Sequence, residues 1–215
     1  MTLGGKIRNG KSGYMDLEKF KFIKDKYGPF ASWAVWKEQG EKSKSNMGDL
    51  NVLDPQQNPD VLSELKPDVV FVGLNTSRNI NDSPPFSNFH PNYPYARDYN
   101  TRFALKDTEL WGGYMTDIVK DYPELHGQKV MSFLRDNPDV ERKNIETFRE
   151  ELKDLGTENR TIIAFGNDVF SILSRNLKNE FNIFKVTHYS ARLNQQGLRD
   201  AIKSLIKNMK KLNLF

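Results

Sequence analysis

The sequence predicts an α/β fold in three layers, α/β/α, with a central four-stranded parallel sheet and additional helices at the N-terminus. Two observations predict it. Four short apolar runs, each partly β-branched, have the length and composition of strands buried on both faces: Val69–Leu74, Gly113–Val119, Thr161–Phe165 and Ile183–Thr187. Amphipathic helical patterns lie between them, and strands alternating with helices build a parallel sheet covered on both sides.

In chain order, the segment from Asp16 to about Lys44 carries Leu17, Phe20, Ile23 and Tyr27 at three- and four-residue steps, the helical period. The stretch YGPF at 27–30 punctuates it, and Phe30, Trp33, Ala34 and Trp36 predict a second amphipathic helix. Gly48, Pro55 and Pro59 make 45–60 a loop. Residues 1–60 are therefore expected to form a helical extension packed on the same domain as 61–215. Further on, DVERKNIETFREELKDLG at 139–156 is a helix with Gly156 as its stop, and NDVFSILSRNLKN at 167–179 is another. The last helix, about 195–212, carries Leu198, Ala201, Ile202, Leu205, Ile206 and Met209 on one face.

A chain of 215 residues has room for one α/β domain, and 37% hydrophobic with 28% charged residues is the composition of a folded globular protein. The absence of cysteine excludes disulfides and thiolate zinc sites and fits a reducing, cytoplasmic setting. No run approaches the roughly 18 apolar residues of a membrane span, and the first residues lack the apolar core of a signal peptide, so no membrane partner is expected. The net charge of +4 permits contact with phosphate without requiring it, since a lysine-rich solvated surface gives the same excess. His90 and His126, with Asp98, Asp107 or Asp121, show no ligand spacing, so no metal is expected. The segment LGGKIRNGKSG at 3–13 lacks the upstream glycine and the strand of a phosphate loop.

In an open parallel sheet the ligand crevice lies outside the carboxyl ends of the strands. That rule selects Asn75 after the first predicted strand, Asp117 near the end of the second, Gly166 and Asn167 after the third, and His188 after the fourth. All lie at one edge. The first strand ends in GLNTS at 73–77, the fourth in HYSAR at 188–192.

These two endings resemble motifs of the uracil-DNA glycosylase superfamily, whose mismatch-specific and single-strand-selective branches have Gly-x-Asn-Pro-Gly and whose single-strand-selective branch has His-Pro-Ser-Pro-Arg. IIAFGNDVFSIL at 162–173, PPFSNFHP at 84–91 and NTRF at 100–103 resemble further segments of the same superfamily, in the same order. Thr76 and Ser77 replace the Pro-Gly of the first motif; Tyr189 and Ala191 replace the prolines of the second. The resemblance implies a uracil-DNA-glycosylase-like fold and a metal-independent, cofactor-free hydrolase, expected to be a monomer, that removes a damaged or mismatched base, such as uracil or another deaminated base, from single- or double-stranded DNA.

It also implies roles. Asn75 would position the attacking water through its amide oxygen, and His188 would donate to the base oxygen that gains negative charge. Phe86, or else Phe89, would stack on the extruded base, while Thr116 and Asp117 would read its edge. Ser77, Ser190 and Arg192 would contact DNA, Arg192 also filling the gap in the duplex. Each residue has an ordinary structural alternative: Asn75 a turn, His188 a hydrogen-bonded strand end, Phe86 and Phe89 the core, Asp117 an ion pair or helix cap. Two other functions stay open from sequence, a catalytically inactive nucleic-acid-binding member of the same fold and a hydrolase of another nucleoside-like substrate.

Overall fold

The computed structural model describes residues 15–38, 48–77, 83–91, 97–156, 160–188 and 195–214. They form an α/β fold around one five-stranded mixed sheet. The strands are β1 (Ala31–Trp33), β2 (Lys66–Asn75), β3 (Gly113–Val119), β4 (Thr161–Phe165) and β5 (Asn182–Val186), in the spatial order β1-β3-β2-β4-β5. β3, β2, β4 and β5 run parallel, and β1 joins the β3 edge antiparallel.

Seven α-helices accompany them: α1 (Leu17–Tyr27), α2 (Val61–Glu64), α3 (Asp98–Leu105), α4 (Gly127–Asp136), α5 (Pro138–Leu155), α6 (Asn167–Leu177) and α7 (Gln195–Lys211). Alternate residues of the strands feed two cores, as the pleat requires. Val70, Val72, Tyr114, Ile118, Ile162 and Ala164 pack with α1, α4, α5 and α6. Val69, Phe71, Met115, Ile163 and Phe165 pack with α3 and α7 on the other face. Among the described residues no helix is long and apolar enough to cross a membrane.

The four predicted parallel strands are present, but the sheet has a fifth, and it comes from the segment expected to be a second helix. Residues 31–36 are all buried, whereas a surface helix would expose one side of them. Ala31 and Trp33 lie opposite Thr116 and Tyr114 of β3, and the Trp33 and Tyr114 rings meet edge-on at 5.0 Å. Cross-strand contact with aromatic partners stabilises such an edge beyond what local propensity offers.

Local signals set the helix ends. Asp16 accepts from the backbone of Lys19 at 2.8 Å to cap α1. α5 stops at Gly156, whose φ of 72° is left-handed and whose N–H bonds the Lys153 carbonyl. Tyr27 and Lys26 at the end of α1 both hydrogen-bond Asp154 of α5, at 2.6 and 2.7 Å, which ties the N-terminal helix to the main body.

Candidate functional site

The carboxyl ends of four parallel strands share one edge of the sheet, and β2 lies between β3 and β4 in its centre. Asn75 is the last residue of β2, opposite Val119 of β3. Its Nδ2 donates to three backbone carbonyls, Thr76 at 2.9 Å, Tyr122 at 3.1 Å and Glu124 at 2.8 Å. All three partners are acceptors, so the nitrogen must face them and the amide plane is fixed. Oδ1 then faces away from the three carbonyls, a preset acceptor.

Next to it, Asp117 of β3 pairs in register with Gly73 of β2. A Cβ on Gly73 would stand 2.1 Å from Asp117 Oδ1 and 3.8 Å from the Phe89 ring, so glycine is what lets carboxyl and ring close over the strand. The other carboxyl oxygen, Oδ2, accepts from Asn88 Nδ2 at 2.8 Å, and the same amide donates to the Phe30 carbonyl at 3.0 Å. Asp117 is 4% exposed, and burial pushes its carboxyl up to about 6, against the hydrogen bond from Asn88 and the charge of Lys120.

His188 follows β5, two strand spacings from β2, which is roughly 10 Å. Its ring meets Phe165 edge-on at 6.3 Å, and Phe165 in turn stacks on Phe71 of β2 at 5.5 Å. Burial lowers the His188 pKa from its ordinary value, so the imidazole is neutral at pH 7. Gly73, Asp117, Phe89 and the Phe71–Phe165 stack lie on the side of the sheet covered by α3 and α7, and the His188 ring adjoins that stack.

The other sequence-selected residues fall elsewhere. Phe86, first choice for the stacking face, is 1% exposed on the α1 side, 5.6 Å from the Phe20 ring, and does not join Phe89 and Asp117. Its backbone, at φ 69°, donates to the Gly28 carbonyl at 2.7 Å. Thr116 points to that same side and accepts from Lys120 Nζ at 3.0 Å, so its hydroxyl serves a buried network. Ser77 is exposed just past Asn75. Ser190 and Arg192 lie outside the described residues.

Sequence reasoning passed over Asn88, which orients Asp117, and Lys120, which reaches Thr116, the Asp117 carbonyl at 2.7 Å and Glu151 at 2.7 Å. The signal for Asn88 was its place between the two phenylalanines of PPFSNFHP; nothing local marks Lys120. Among the described residues, no group of three or more metal-ligating side chains could hold an ion. A cavity of about 410 Å3 opens at the opposite end of the sheet, lined by Trp36, Trp111, Glu38, Glu64, Lys66 and Lys106. Four of its charged groups are already engaged: Lys106 with Glu38 at 2.6 Å, Glu64 with the Trp111 indole at 3.1 Å, Lys66 with the Glu109 carbonyl at 2.7 Å. No protein-family model matches the chain, and no curated protein matches it.

Proposed function

We propose that the protein is a DNA glycosylase that hydrolyses the N-glycosidic bond of a damaged or mismatched base. One observation carries the reading: the Asn75 amide is pinned through its nitrogen by three carbonyls, leaving Oδ1 as a fixed acceptor at the end of a central strand. Such an oxygen is too weak a base to take a proton outright, but it holds a water in line for attack on a sugar carbon that is becoming cationic.

The departing base needs a face to lie on and a donor for its growing negative charge. Phe89, beside Gly73 and Asp117, supplies the face, the second of the two aromatic residues singled out from sequence. Asp117, with its carboxyl pushed up to about 6, meets the base edge, accepting from a ring N–H or amino group when ionised and donating to a carbonyl when protonated. His188, kept neutral by burial, donates an N–H to the base oxygen, and that bond strengthens as the oxygen becomes anionic.

The test is incubation of the protein, without added metal, with single- and double-stranded oligonucleotides carrying uracil, hypoxanthine, xanthine or a mismatch, followed by alkali. Wild type should leave alkali-labile abasic sites, and Asn75→Ala should lower the rate by about 100-fold or more. Because Asn75 also holds the loop at 122–124, the variant must be shown to melt and to bind oligonucleotide as wild type does. Salt-sensitive binding of DNA with no abasic sites from wild type would instead favour the catalytically inactive, nucleic-acid-binding reading.

A further inference from the structure

The cavity at the amino ends of the strands is lined by Lys66, the first residue of β2, while Asn75 is the last, on the order of 25 Å away. It shares no residue with the strand-end groups. At about 410 Å3 it falls within the roughly 300–1,000 Å3 of small-molecule sites. Its backbone frame closes at Gly112, whose N–H bonds the Ala34 carbonyl at 3.0 Å and whose carbonyl receives the Lys66 N–H at 2.9 Å. The Gly112 φ is 85°, and a Cβ there would stand 1.9 Å from the Glu64 carbonyl, so glycine is what lets the Trp111 segment close on the end of α2.

That approach sets the Glu64 carboxylate against the Trp111 indole, whose N–H it accepts at 3.1 Å. Trp36, 4% exposed, packs 5.8 Å from Trp111 with 59° between the ring planes, and the His90 ring backs it at 5.2 Å. The two indoles form a fixed corner. The charges around it are unequally satisfied. Glu38 is neutralised by Lys106 at 2.6 Å and by Arg102 at 2.9 Å. Lys66 donates to the Glu109 carbonyl at 2.7 Å and lies in the field of the Asp68 and Glu109 carboxylates. Among the described residues, the Glu64 carboxylate meets only the neutral indole, and the Asp107 carboxylate has neither hydrogen bond nor ion pair. Two carboxylates therefore line the cavity without an ion-pair partner.

We propose that this cavity binds a quaternary ammonium group, carried by a small molecule or by a methylated lysine side chain, against the indoles of Trp36 and Trp111, with Glu64 and Asp107 as counter-charges. Tryptophan is the strongest aromatic partner for a cation. A quaternary ammonium spreads its charge over methyl groups and has no N–H to satisfy, so it needs aromatic faces and nearby negative charge more than hydrogen-bond acceptors. Its tetrahedral shape can touch both indoles across their 59° tilt, whereas a flat ring or a guanidinium can lie on only one of them. An anion would meet the two unpaired carboxylates and be repelled.

The experiment titrates the full chain, by calorimetry and tryptophan fluorescence, with choline, with a tripeptide carrying trimethyllysine, and with dimethylbutanol, the neutral carbon isostere of choline. At least one of the two cations should bind saturably and about tenfold or more tighter than the isostere, and the tighter cation names the source. Glu64→Gln keeps an acceptor for the indole, and Asp107 is exposed, so the double variant Glu64→Gln with Asp107→Asn should melt as wild type. It should bind the cation about tenfold more weakly and the isostere unchanged. Trp111→Leu should abolish binding of both. The proposal is overturned if neither cation binds, if the isostere binds as tightly as choline and the tripeptide, if benzoate binds in preference to both cations, or if the double variant keeps wild-type affinity.

Discussion

Asp98 is 5% exposed, and no well-aligned hydrogen bond reaches either of its carboxyl oxygens. Burial pushes its pKa up to about 7, the backbone amides of Tyr99 and Asp98 offsetting only part of the shift. In the unfolded chain the same carboxyl titrates near ~3.9. Between those two values the folded protein holds a proton that the unfolded chain has lost, so folding stability falls as pH rises from about 4 to about 7. Asp117, pushed up to about 6, adds to the fall over a narrower window. Asp98→Asn copies the neutral form, so its melting temperature should match wild type at or below about pH 4, pull ahead as pH rises through 5 and 6, and exceed it by several degrees near pH 8. Thermal melts across that range decide it; parallel curves for the two proteins would show that Asp98 is not the source. The residue scale also separates what the sequence disclosed from what it hid. The places of Asn75 and Asp117 near the carboxyl ends of neighbouring parallel strands were legible because short buried apolar runs mark those strands. Phe86 and Phe89 were not separable, because they sit three apart in a loop with no periodicity to assign a face, and the structure puts them on opposite sides of the sheet.

Among elements, the joint between the end of β3 and α5 is held by a buried ion pair. Lys120 and Glu151 meet at 2.7 Å with side chains 4% and 0% exposed, an ionic contact without hydrogen-bond alignment at Glu151 Oε2. Tyr114 of β3 donates to the other oxygen, Oε1, at 2.6 Å, and the Lys120 ammonium lies 4.5 Å from the Phe30 ring centre. Removing one partner strands a buried charge, and Lys120→Met should cost roughly 3–5 kcal/mol. The double variant Lys120→Met with Glu151→Leu should recover much of that loss, since a well-packed apolar pair is often no worse than a buried ion pair. Urea unfolding of the two single variants and the double variant measures the coupling; additive losses would mean that the two charges do not act as a pair. None of this joint could be read from sequence, because its members lie 31 positions apart and each sits in an otherwise ordinary context. β1 was hidden for a related reason. Its apolar residues fall at helix-like spacing, and only pairing with a strand about 80 residues later makes them extended.

For the whole molecule, that pairing changes the standing of the N-terminal segment. Residues 1–60, expected from sequence as a helical extension, supply an edge strand and a helix to the same core as the later elements. Phe20, Ile23 and Tyr27 of α1 and Trp33 of β1 are each 3% exposed or less. They pack in one cluster with Tyr114 of β3 and with Phe148, Leu152 and Leu155 of α5. The Gly28 carbonyl also receives the Phe86 N–H, and the Phe30 carbonyl receives Asn88, the residue that orients Asp117. Cutting the chain before residue 61 would expose those apolar faces, at about 1.5–3 kcal/mol for each fully buried large side chain, against a total stability of about 5–15 kcal/mol. A fragment of residues 61–215 should therefore lack a cooperative thermal transition and should lose dispersed amide signals in a proton–nitrogen correlation spectrum. Should it melt cooperatively near the wild-type temperature, the N-terminal segment would be an accessory. In that case Asn88 should still hold Asp117 without its Phe30 anchor.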